Sequence, residues 1–124
     1  MLVLIIEPDR ILAKEYKKAF EGIGIEVVLC SDAQSAIGLV DHQKPDAVIV
    51  ELQLAGHSGI DFLYEFRSYE DLSRVPLFIY SSVPEYAFDP DKKTWESLGV
   101  ERYLYKPKVP IDRLVGIVKS KIEK

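Results

Sequence analysis

The chain has 124 residues, 48% of them hydrophobic and 29% charged, and a formal net charge of −4. That length holds one domain with a buried core and is too short for two, and the acidic balance argues against nucleic acid, whose phosphates need a basic face. A single cysteine, Cys30, leaves no disulfide to form within the chain, and the five-residue apolar run after Met1 is too short for a leader or a membrane span, with Glu7, Asp9 and Arg10 following at once.

The first run, "LVLII" (2–6), is apolar on consecutive positions, as in a strand buried on both faces. A helix follows, with Ile11, Leu12, Tyr16, Ala19 and Phe20 on one face and Gly22 and Gly24 as its stop. The run "IEVVLC" (25–30) predicts a second strand. Ala33, Ala36, Ile37 and Val40 then predict a helix, with Ser31 and Gln34 as its capping box. The third strand is "AVIVE" (47–51), and its helix lies in "SGIDFLYEFRSYE", where Ile60, Leu63 and Phe66 or Arg67 fall on neighbouring turns. The run "PLFIYS" (76–81) makes a fourth strand. The next helix is expected between Pro90 and Gly99, an earlier start near Pro84 being the alternative. The fifth strand is "RYLY" (102–105). The last helix carries Ile111, Leu114, Val115, Val118 and Ile122 in one stripe after Pro110, a favoured first-turn residue.

Five βα repeats in strict alternation imply an α/β fold: a parallel five-stranded sheet with helices on both faces. Right-handed crossovers give the flavodoxin-like, doubly wound (βα)5 arrangement with strand order 2-1-3-4-5. In such sheets chemistry collects at the carboxyl ends of the strands, where the order reverses. Those ends hold Glu7-Pro8-Asp9, Glu51, Ser81-Ser82 and Lys106-Pro107.

The segments "VLIIEPD", "PDAVIVELQLAGHSGIDFL", "VPLFIYSS" and "LGVERYLYKPK" together resemble the receiver domain of two-component response regulators over nearly the whole chain. The resemblance implies a cytoplasmic signalling module rather than an enzyme. It places Glu7 at the first acidic-pair position, Pro8 at the second, Glu51 at the phosphoacceptor aspartate, Ser81 at the conserved hydroxyl and Lys106 at the conserved lysine. Tyr103 falls on the switch aromatic, and Pro107 on the proline that in the family usually follows a cis peptide bond.

Two departures touch the chemistry itself. Glu51 stands where the family has aspartate, and its extra methylene pushes the carboxylate into the volume an incoming phosphoryl group would take. Pro8 removes a carboxylate ligand for Mg²⁺, an ion that demands near-octahedral oxygen geometry. Asp9 is the adjacent acid that would join the pocket, its other role being the N-cap of the first helix. The expectation is therefore a degenerate receiver with no cofactor and no Mg²⁺ site, in which Glu51 pairs directly with Lys106 and accepts from Ser81. The alternatives are a phosphorylation-responsive receiver with an altered acid pocket, or a small flavodoxin-like enzyme or ligand-binding protein. Against the latter, no glycine-rich phosphate loop follows the first strand.

By the same resemblance, protein partners or a second copy dock on the face of helix 4, strand 5 and helix 5, where "RYLYKPKVPIDRL" mixes aromatic and basic residues and Trp95, Tyr103 and Tyr105 are expected half-exposed. His42 and His57 lack carboxylates at metal spacing and read as surface residues. One receiver-like domain is expected over residues 1–124, with no output domain in this chain, no nucleic acid and no membrane contact.

Overall fold

The computed structural model describes residues 1–54, 57–89 and 91–123, with only the backbone described at His57 and Ser58. Its elements run β1 (Leu2–Ile6), α1 (Arg10–Glu21), β2 (Glu26–Cys30), α2 (Ala33–Val40), β3 (Ala47–Val50), α3 (Gly59–Ser68), β4 (Leu77–Ser81), α4 (Lys93–Ser97), β5 (Val100–Tyr105) and α5 (Ile111–Ile122). The five strands form one parallel sheet in the order β2-β1-β3-β4-β5, as the alternation predicted. The pairings Ile6 with Cys30, Ile6 with Val50, Val50 with Ile79 and Ser81 with Tyr105 bring the strand ends level. Glu7, Glu51, Ser82 and Lys106, each next in sequence, therefore meet along one edge.

Strand alternation divides the core in two. Leu4, Ile6, Val48 and Val50 face the side covered by α2, α3 and α4, while Val3, Ile5, Ala47 and Ile49 face α1 and α5. Burial on both faces explains the uninterrupted apolar runs. Among the described residues, no helix is long and apolar enough to cross a membrane.

The helix faces differ from expectation in instructive ways. α1 buries Ala13, Tyr16 and Phe20, whereas Ile11 is 74% exposed. Ile11 lies two residues before Ala13, about 200° around the helix, and so points away from the sheet. α2 is capped by Asp32, whose carboxylate accepts from the Ser35 N–H at 2.8 Å, instead of by a Ser31–Gln34 box. A carboxylate at the N-cap adds a favourable interaction with the helix dipole that a serine lacks. α3 buries Phe62, Leu63 and Phe66, with Ile60 only half-buried.

The fourth helix is the largest departure. A 3₁₀ turn at Glu85–Ala87 precedes it, and α4 has five residues. Its start is set by the buried Asp89, which accepts from the Thr94 N–H, and by Lys92, in the left-handed region at φ 62. Pro90 lies outside the described residues. Trp95, expected half-exposed, is buried against Tyr103 with ring centroids 5.6 Å apart, because so short a helix must lay its one large side chain on the sheet to dock at all. Tyr103 and Tyr105 are half-buried and His42 is exposed, while the His57 side chain lies outside the described residues.

The Lys106–Pro107 bond is also a correction: no cis peptide occurs among the described residues. Lys106–Lys108 form a 3₁₀ turn with Pro107 in its first turn, where a missing N–H leaves no bond unmade. Burial, then the neighbouring Asp32, pushes the Cys30 thiol up to about 11. A thiol so held is unreactive.

Candidate functional site

Glu7 and Glu51 leave β1 and β3 side by side and are each only 4% exposed. Two buried carboxylates repel unless a cation joins them. Lys106, arriving from the end of β5, is that cation: its Nζ lies 2.5 Å from Glu7 Oε1 and 3.1 Å from Glu51 Oε1. The lysine is itself largely buried, with its ammonium about 6 Å from the ring centres of both Tyr16 and Tyr80. That distance is the outer limit of cation–π attraction, so the rings chiefly exclude water and strengthen the ion pairs.

Glu51 has further partners. Its Oε1 accepts from the Ser82 N–H at 3.2 Å and sits 3.5 Å from the Ser82 hydroxyl, while its Oε2 accepts from the Gln53 N–H at 3.2 Å. Burial pushes the Glu51 carboxyl up, but a hydrogen bond from the Ser81 hydroxyl, the Lys106 ammonium and the Gln53 amide together hold it below the ordinary carboxylate range. Both of its oxygens accept hydrogen bonds, Oε1 from Lys106 and Ser82 and Oε2 from Gln53. Glu7 Oε2 accepts from the Asp9 N–H at 3.1 Å, which ties the first loop to the same cluster.

The network continues into the loop after β4. Ser81 Oγ accepts from the Val83 N–H at 3.1 Å, and the Val83 carbonyl accepts from the Tyr103 hydroxyl. The Ser82 hydroxyl also donates to Gln53 Oε1 at 3.2 Å. Burial and the nearby Glu51 carboxylate push the Tyr103 phenol up to about 12, against the opposing hydrogen bond with Ser81. It therefore stays a donor at neutral pH. A chain of bonds thus runs from Glu51 through Ser82 and Val83 to Tyr103, which packs on Trp95 of α4.

On the other side of Glu51, Gln53–Leu54 pair antiparallel with His57–Ser58, folding the chain back over the β3 end. A Cβ at Gly59 would lie 2.6 Å from Leu52 Cα, so only glycine lets this return pass so close.

The structure brings Glu7, Glu51, Ser81 and Lys106 together. Asp9 stands apart: its carboxylate is exposed and caps α1, accepting from the Ile11 and Leu12 N–H groups at 3.0 and 3.1 Å. Three contributors had no role at the site assigned from the sequence, although Ser82 falls at a strand end and Tyr16 on the face of the first helix. Ser82 gives mainly a backbone amide, which every residue has, so composition could not flag it. Tyr80 looked like a plain core residue because it lies in an apolar run, and Tyr16 because it falls on the apolar face of the first helix. The signal that could have found Tyr80 is its alternation with Ser81: the hydroxyl turns to the site and the ring to the opposite face, under Lys106.

The family model for the response regulator receiver domain matches residues 3–119. The chain is 24% identical over 118 residues to the polar-differentiation response regulator DivK of Brucella anthropi, covering 95% of this chain and 93% of that protein. The DivK of Brucella ovis is 25% identical over the same shares. Among solved structures, the receiver domain of the Francisella response regulator 1452 superposes with a TM-score of 0.84 at 24% identity, over 98% of this chain and 96% of that one. A CheY-like receiver domain protein from Methanospirillum hungatei gives 0.86 at 16% identity, over 98% and 93%.

Proposed function

The chain belongs to the response regulator receiver family of two-component signalling, and from that premise we propose that it is a degenerate receiver that works by binding proteins without phosphorylation at Glu51. The observation that carries this reading is the single oxygen Glu51 Oε1, which takes hydrogen bonds from both Lys106 Nζ and the Ser82 amide. These donors, with the Ser81 hydroxyl, converge on the volume just beyond the β3 end, where a phosphoryl group on a shorter acid would stand. Glutamate reaches about 1.5 Å farther than aspartate and fills that volume with its own carboxylate. In-line attack needs the reacting atoms aligned and within roughly 3–3.5 Å. A carboxylate hydrogen-bonded on both oxygens at the centre of that space meets neither condition.

The donor set also does not fit Mg²⁺. Pro8 offers no side-chain oxygen, the Asp9 carboxylate serves α1, and both remaining carboxylates already hold an ammonium at hydrogen-bond distance. The capping role of Asp9 weighs against the phosphorylation-responsive alternative, which needs that acid as a replacement ligand.

The output of such a module is a surface held in one state. Through Ser82, Val83 and Tyr103 the Glu51 cluster reaches the segment between β4 and α4, next to a groove of about 310 Å³ lined by Pro84, Tyr86, Tyr103 and Tyr105 with Lys92 and Lys108 beside Glu85 and Asp89. Aromatic rings beside charges of both signs suit a protein interface, and the α4–β5–α5 face is the partner surface of this reading.

Incubation with acetyl phosphate and Mg²⁺, followed by intact-mass measurement, tests the proposal. The wild-type mass is expected to stay unchanged, and beryllofluoride to leave the amide spectrum unmoved. A stoichiometric phosphoryl adduct would overturn the reading. The Glu51→Asp, Pro8→Asp double variant is expected to gain Mg²⁺-dependent modification, since it returns both missing oxygens to their places.

A further inference from the structure

Lys106 anchors more than the acid pair. It opens the 3₁₀ turn Lys106–Lys108, which the Val109 N–H closes on the Tyr105 and Lys106 carbonyls at 3.0 and 3.3 Å. Two residues on, α5 begins at Ile111 behind Pro110, which brings no side-chain cap to the helix. Helices α1 and α2 are each started by an aspartate carboxylate, so the entry of α5 is set in another way. The buried Tyr80 sets it: its hydroxyl donates to the Val109 carbonyl and fixes the Val109–Pro110 peptide that leads into the helix.

The same tyrosine reaches the other end of the turn. Its ring centre stands 5.8 Å from the Lys106 ammonium, and that of Tyr16, on α1, stands 6.0 Å from it. The two rings meet edge to face, with centroids 5.4 Å apart. Burial, and then the Glu7 carboxylate, pushes both phenols above their ordinary range, so both stay neutral donors beside the acids. Close packing leaves this wall little room, and an ammonium that quits its seat between Glu7 and Glu51 makes the ring pair repack. The turn is thus held at two points, by the carboxylates at Lys106 and by Tyr80 at Val109. The Tyr80 ring touches both.

We propose that Tyr80 is a positioning residue that makes the start of α5 a second readout of the buried cluster, separate from the Ser82–Val83–Tyr103 chain. With the ammonium seated, the ring pair is fixed, the hydroxyl keeps the Val109 carbonyl, and α5 enters at one angle. With the ammonium displaced, the ring shifts, the carbonyl is released and the first turn of α5 loosens. α1 and α5 cover the same face of the sheet, so the affected surface is theirs. Coupling is reciprocal: a partner that grips this face and draws Val109 away also displaces Lys106. The inference rests on the contacts of Tyr80 and not on whether Glu51 can take a phosphoryl group.

A comparison of two backgrounds, by amide spectra and hydrogen exchange, tests this. Glu51→Gln keeps the shape and removes the charge, and the Ser82 N–H reports that the cluster has been perturbed. In the wild-type background it is expected to move the Val109 and Ile111 resonances. It should also speed exchange at Leu114, whose N–H bonds to the Pro110 carbonyl, by about threefold or more, the scale of one weakened hydrogen bond. Tyr80→Phe keeps the ring and removes the hydroxyl, and a circular dichroism melt checks that it folds. In that background Glu51→Gln is still expected to move Ser82, while its effect at Ile111 and Leu114 falls below about a third of the wild-type one. Glu7→Gln repeats the comparison from the other carboxylate and serves if Glu51→Gln does not fold. Equal α5 responses in the two backgrounds would show that the backbone of the turn carries the signal alone. That result, or no α5 response in the wild-type background, would overturn the proposal.

Discussion

Replacing Lys106 by methionine is expected to lower the unfolding free energy by about 3–5 kcal/mol at pH 7, the range for removing one partner of a buried ion pair. Methionine keeps most of the aliphatic stem against Tyr16 and Tyr80, so the loss is that of the charge and not of the packing. Glu7 and Glu51 would then share a space nearly closed to water without a cation between them. For a chain of this size the melting midpoint should fall by roughly 10–20 °C.

The pH dependence separates this cause from general damage. In the wild type the Glu51 carboxyl is held below its ordinary range. Its contribution to stability is therefore fully present above the unfolded value, about 4.3, and is lost as the pH falls through the lower, folded one. Without the ammonium, burial becomes the dominant influence and moves the carboxyl above its ordinary range. The variant should then gain stability, relative to wild type, as the pH drops from 7 toward 5. Chemical denaturation at a series of pH values reads both slopes, and a deficit independent of pH would contradict the charge argument.

Replacing Arg67 by methionine is the second large effect, at about 3–4 kcal/mol. From the last turn of α3 the guanidinium donates to five carbonyls: Nε to Leu98 at 2.7 Å, one terminal nitrogen to Leu72, Ser73 and Val75 at 2.9, 3.1 and 2.7 Å, and the other to Gly99 at 3.0 Å. One side chain thereby fastens the α3–β4 connection to the end of α4 and the start of β5. A hydrogen bond from a charged donor is worth roughly 1.5–3 kcal/mol. The sum is reduced because the Ser73 and Gly99 carbonyls can turn to water. Lysine should recover less than half of the loss, since a point charge cannot copy a planar fork. Equilibrium unfolding of both variants provides the check, and full rescue by lysine would show that charge alone matters. Hydrogen exchange should also place the loosened amides in the α3–β4 connection and α4 rather than in β1 or α1.

Arg67 also marks where sequence reading stops. Its position in the α3 periodicity says that it lies near a helix face, but five carbonyl acceptors from two separate segments are a property of the closed fold. The strand order was legible because parallel strands must be apolar on both faces and must be joined by helices, and both patterns are local. The strand-end cluster followed, since topology alone carries Glu7, Glu51, Ser81 and Lys106 to one edge. α4 was poorly legible because its start depends on the Asp89 carboxylate and a left-handed Lys92, choices that no apolar period records. Ile11 and Asp32 show the same limit at smaller scale: a face is set by the whole stripe and a cap by one residue's place, and each shifts by a position or two without changing the pattern.

The Glu51 carboxylate is proposed to hold the segment after β4 itself, through the Ser82 amide and without any modification. The amide spectrum of Glu51→Gln tests it most directly, because glutamine keeps the shape and removes the charge. The Ser82 N–H resonance is expected to move upfield and exchange faster with solvent, with Val83 and Tyr103 shifting in concert and β2 unaffected. Ser82, Val83 and Tyr103 resonances that coincide with those of the wild type would contradict it.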